Sequence, residues 1–80
     1  MQFDPAEANR KMAAEVQAAA EQKLGRPLTT DEEFKIWNRG SFMGLEAIDQ
    51  NIHHRSPAEL ENYLAEIPRP DPLPEAYTRR

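Results

Sequence analysis

The chain has no cysteine, so neither a disulfide framework nor a thiolate metal site can compensate for its small size. Large apolar side chains are scarce too. Leu, Ile, Val and Phe supply fourteen of the eighty residues, below the ~20% at which chains generally have too little to bury. Strong self-repulsion, the usual companion of that deficit, is also missing, since the formal net charge is −4. A chain this short buries roughly 60% of the surface it exposes when unfolded, and it is marginal unless something adds to the core. With cysteine excluded, association with another copy or with a protein partner is what remains. No apolar run approaches the ~20 residues that a bilayer-spanning helix requires. The opening Met1-Gln2-Phe3-Asp4-Pro5 has no basic and apolar signal region, and the closing Tyr77-Thr78-Arg79-Arg80 has no lipidation motif. These features predict a cytoplasmic protein that leaves the membrane alone.

What is present is helical. Asp4-Pro5-Ala6-Glu7 combines a cap, a proline suited to the first helical position and an acid that reaches back to the cap. Nothing then breaks a helix before Leu24, and alanine, the strongest helix former, is the commonest residue. Ala8, Met12, Val16, Ala20 and Leu24 make a four-residue stripe with Ala13 and Ala19 beside it. Alanine buries little area, so this first helix is expected to be weakly anchored. Gly25 supplies the stop and Pro27 prevents resumption. Two overlapping capping boxes, Thr29 with Glu32 and Thr30 with Glu33, open a second helix that carries the heaviest apolar pair, Phe34 and Trp37. Ser56-Pro57-Ala58-Glu59 opens a last one, with Leu60, Tyr63, Leu64 and Ile67 on its apolar face and Pro68 at its end.

Between these, Asn38-Arg39-Gly40-Ser41 reads two ways. Gly40 as a helix stop and Ser41 as a new cap give a break, slightly favoured here. One long helix through Gly40 also keeps the 3.6-residue period, although interior Gly40 and Gly44 would each cost about 1 kcal/mol relative to alanine. On either reading Phe42 to His54 is helical, with Leu45, Ile48 and Ile52 buried and His53, His54 and Arg55 at the negative end of the helix dipole. Prolines at 68, 70, 72 and 74 make the rest extended or disordered. No strand pattern or internal repeat is found. The expected fold is all-α, a small bundle of three to four helices over 5–24, 30–39, 42–54 and 57–66 forming one domain, 1–67, with an extended proline-rich tail, 68–80.

Catalysis has little to stand on, and no catalytic, cofactor or metal site is expected. Asp49 and His53 share a helix face, yet zinc wants three or four ligands and no His-Glu-x-x-His or cysteine pair supplies them. Ser41 and Ser56 both read as caps, and Asp31-Glu32-Glu33 is explained by capping and the dipole. Nucleic acid is a poor partner: residues 28–67 hold eight acids against three bases, and Phe42 to His54 carries no Arg or Lys for a groove. Nucleic-acid mimicry is a minor reading, because that charge is modest. Prolines two apart do not fit a ligand for proline-binding domains that read every third position. An extended arm with Leu73 and Tyr77 as anchors does fit the tail.

Phe34, Trp37 and Phe42 read chiefly as core, and Trp37→Ala is expected to cost more than ~3 kcal/mol on that reading. They exceed what an alanine face can cover, so part of the set is expected to remain exposed for a partner. Gly25-Arg26-Pro27-Leu28-Thr29, Trp37-Asn38-Arg39-Gly40 and Glu46-Ala47-Ile48 resemble small helical antitoxins that inhibit adenylyl-transferring Fic enzymes. The inhibitory element of that family, a Ser or Thr four residues before Glu-Gly or Glu-Asn, has no counterpart: Ser41 precedes Glu46 by five and Ala47 follows. The resemblance covers under half the chain and implies a small regulatory protein without supplying the inhibitory residues.

The expected function is therefore that of a non-enzymatic regulator, a phage- or plasmid-style inhibitor or antitoxin, acting on a larger protein by surface contact. Its expected partner residues are Phe34, Trp37, Phe42, Leu73 and Tyr77. The alternative is a small accessory subunit ordered within a large complex. A third reading is a homo-oligomer that holds a small ligand between its helices.

Overall fold

Two of the start signals read in the sequence, Thr29 with Glu32 and Ser56 with Glu59, open helices where their residues fall. A computed structural model of the chain describes residues 5–39 and 42–71. It contains four helices in the order α1 (Pro5–Leu24), α2 (Thr30–Trp37), α3 (Phe42–His54) and α4 (Pro57–Glu66). The Thr29 hydroxyl accepts from the Glu32 backbone N–H at 3.1 Å, and the Glu32 carboxylate accepts from the Thr29 N–H at 2.8 Å. Ser56 and Glu59 exchange the same pair of bonds at 3.2 and 2.9 Å. Two otherwise unpaired donors are satisfied at each start. At the end of α1, Gly25 adopts φ 71° while its N–H still reaches the Glu21 carbonyl at 2.8 Å. That left-handed turn lets the chain reverse.

α2 and α3 are separate helices, as the favoured reading has it. α2 stops two residues earlier than expected, at Trp37, with Asn38 as its C-cap. The Asn38 side chain bonds to the Phe34 carbonyl at 3.2 Å and its N–H to the same carbonyl at 3.0 Å. The proposed roles of Asp4, Gly40 and Ser41 as helix stop and caps fall outside the described residues.

α1 is the hub, packing against α2, α3 and α4. Ala13, Val16 and Ala20 are fully buried, with Met12, Ala19 and Leu24 at the margin. The alanines that make the stripe thin face all three other helices, which pack on α1. Around it Ile36, Leu45, Ile48, Ile52, Leu60 and Leu64 are almost entirely excluded from solvent, and Leu28 and Ile67 close the ends. The fully buried apolar residue of α2 is Ile36; Phe34 and Trp37 are half-buried, and Trp37 packs against the core.

Candidate protein-binding surface

The aromatic residues expected to meet a partner part company in the structure. Trp37 packs against the margin of the core, and its indole N–H donates to the Gln17 side-chain carbonyl at 2.7 Å. Gln17 is itself buried in the middle of α1. Its amide donates to Glu21 at 3.1 Å and to Glu33 at 3.1 Å, while Glu21 also accepts from the Leu28 N–H at 2.9 Å. Trp37 is thus built into a network that joins α1, the α1–α2 loop and α2.

Phe34, half-buried, lies beneath the Arg69 guanidinium, 4.1 Å from the ring centroid. Phe42 is 46% exposed and its neighbour Met43 is 79% exposed, the two large apolar side chains that the described residues leave in water. Both sit in the opening turn of α3. The expectation that Phe42 is chiefly core is corrected accordingly: the α3 stripe that turns inward is Leu45, Ile48 and Ile52, position 42 lies at its edge and position 43 on the opposite side of the helix. Leu73 and Tyr77 lie outside the described residues.

The polar residues near α2 form two knots. In the first, Arg26 holds the Glu32 carboxylate through both guanidinium nitrogens, at 3.0 and 3.1 Å, and also pairs with Glu61 of α4. The hydrogen bonds from Arg26 hold the Glu32 carboxyl below the usual carboxylate range, against an opposing effect of burial and with help from the Thr29 backbone. The same bonds raise the guanidinium further above its already high pKa. Glu59 is likewise lowered, first by the Ser56 backbone N–H.

In the second knot, Lys35 is only 7% exposed although it is a lysine. Its ammonium donates to the Leu64 carbonyl at 3.0 Å and the Ala65 carbonyl at 3.4 Å, and pairs with Asp31 at 3.3 Å. α4 has no basic residue in its own last turn. A lysine from another helix therefore places a cation at the negative end of its dipole.

Sequence reasoning missed Gln17, Lys35, Ile36 and Met43. The four-residue spacing of Asp31 and Lys35 was the visible trace of one of them. His53 and His54 are exposed, and His53 faces Asp49 at 3.5 Å. Among the described residues no group of three or more His, Cys, Asp or Glu side chains is placed to hold a metal ion. No helix among them is long and apolar enough to cross a membrane.

No protein-family model, no curated protein and no solved structure matches this chain. The class defined by the fold is an all-α bundle, of four helices among the described residues. Its functional reading rests on the surface just described.

Proposed function

We propose that the chain is a non-enzymatic regulator that binds a larger protein, in the manner of a phage- or plasmid-style inhibitor or antitoxin. The supporting observation is the pair Phe42 and Met43, exposed on the opening turn of α3 while its other large apolar residues, Leu45, Ile48 and Ile52, are buried in the core. Large apolar side chains at the edge of an otherwise polar surface are where binding energy concentrates in protein interfaces. The excess of acids between residues 28 and 67 favours a partner with basic groups around an apolar pocket. We further infer a cytoplasmic location, in keeping with the absence of cysteine.

A photo-crosslinking phenylalanine analogue at position 42, introduced in the native host, tests this reading. The expected result is one dominant covalent adduct with a larger protein. Binding of that protein, once purified, falls at least about tenfold with Phe42→Ser or Met43→Ser while the helix content is unchanged. Adducts only with a second copy of the chain would replace the regulator by a homo-oligomer. A fixed-stoichiometry complex whose activity is the same with and without the chain would make it an accessory subunit.

A further inference from the structure

The end of α4 is joined to α2 twice, by contacts of different kinds. Ile67 is still buried, and Pro68 then ends the helix. Pro68 and Pro70 flank Arg69, so the backbone on both sides is restricted to extended geometry. Arg69 lies against the first turns of α2, with its guanidinium over the Phe34 ring and paired with Oδ1 of Asp31. The other oxygen of Asp31 takes Lys35, which holds the last carbonyls of α4. One carboxylate thus receives both the cation that anchors the helix end and the cation of the segment beyond it.

The two attachments respond differently to solvent. The Lys35 bond to the Leu64 carbonyl is buried, and burial protects it from screening. The Arg69 contact is exposed on both sides, at 59% for Arg69 and 51% for Asp31, so salt weakens it. The segment can therefore lift from Pro68 onward while Lys35 keeps α4 seated.

We propose that Pro68–Asp71 is a strap that covers the Phe34 face of α2, latched by Arg69 and hinged at Pro68. Its release by competing ions, or by a partner that takes Phe34, extends the apolar surface offered by the protein. Only the partner clause rests on the function proposed above; the latch and hinge are properties of the chain alone.

Nuclear magnetic resonance of the full isolated chain tests the strap without any partner. Protons on the Arg69 side chain sit over an aromatic face, so at low salt they resonate upfield of free arginine. They move toward the free value as sodium chloride is raised to about 1 M, where the screening length falls to ~3 Å. Over the same range the Leu64 and Ile67 methyls stay in place. The Phe34 ring protons of the parent chain shift over the same salt range, and Arg69→Gln abolishes that shift and raises the fluorescence of an added apolar dye, anilinonaphthalene sulfonate. Placing Phe34→Ser in the Arg69→Gln background removes that gain. Arg69 shifts equal to free arginine at low salt would overturn the strap. Leu64 and Ile67 moving together with Arg69 would overturn the hinge. Dye fluorescence unchanged by Arg69→Gln would overturn the covering of Phe34.

Discussion

Gln17 occupies the middle of a helix face that is otherwise alanine and valine, and a residue of its type is buried only when its polar atoms are satisfied. Both ends are satisfied here: the carbonyl accepts from Trp37, and the amide donates to Glu21 and Glu33. Trp37→Phe keeps most of the ring but leaves the Gln17 carbonyl without its donor. The expected cost is about 1–2 kcal/mol, read as a lower urea midpoint with an unchanged slope. Trp37→Ala removes the ring as well, and the expected loss stays at about 3 kcal/mol or more. If Trp37→Phe were as stable as the parent chain, the bond to Gln17 would have no structural weight, and a surface role for Trp37 would gain ground.

At the scale of elements, helix ends were legible and helix faces only partly so. Thr29 with Glu32 and Ser56 with Glu59 signal their helices because a capping box is a local arrangement of four residues. Gly25 is another local signal, and its φ of 71° shows why glycine stands there. A methyl group at Gly25 meets nothing within 4 Å, so Gly25→Ala involves backbone strain and no clash. The expected destabilisation is about 1 kcal/mol. Gly25→Asn should lose less, since asparagine tolerates the left-handed region, and thermal melts of the two variants check the order. A neutral Gly25→Ala would mean that the α1–α2 turn relaxes to another geometry.

The faces of α2 and the start of α3 were less legible because their burial depends on elements distant in sequence. Ile36 is fully enclosed by a core drawn from all four helices, and Lys35 is buried where the end of α4 arrives. Periodicity within eight residues cannot show either fact. Of the residues read as a partner surface, Phe42 is exposed beside Met43, which the sequence reading did not name, and Trp37 is bonded to Gln17.

For the molecule as a whole, Arg26 is the residue that ties the α1–α2 loop to both α2 and α4. Its principal bond is to Glu32, whose pKa is lowered in the folded chain. A carboxyl with a lowered folded pKa stabilises the fold above its unfolded value, about 4.3, and that contribution disappears as pH falls through the folded value. Stability should therefore decline below about pH 5, with part of the decline belonging to this pair. Arg26→Gln should lower stability near neutrality and make the acid-side decline shallower, as followed by circular dichroism melts at stepped pH. An equally steep decline in the variant would assign the acid sensitivity to other carboxylates. The Glu61 bond is more exposed and contributes less.

The seat of Lys35 gives the chain a built-in chemical reporter. Of its three lysines, Lys11 is exposed, Lys23 is half-exposed and Lys35 has its amine against two carbonyls and a carboxylate. An acylating reagent should modify Lys11 and Lys23 quickly in the native protein and Lys35 only as fast as the end of α4 comes loose. Peptide mass mapping over time then turns one slow amine into a clock for opening at that end of the bundle, while the rest of the fold remains intact.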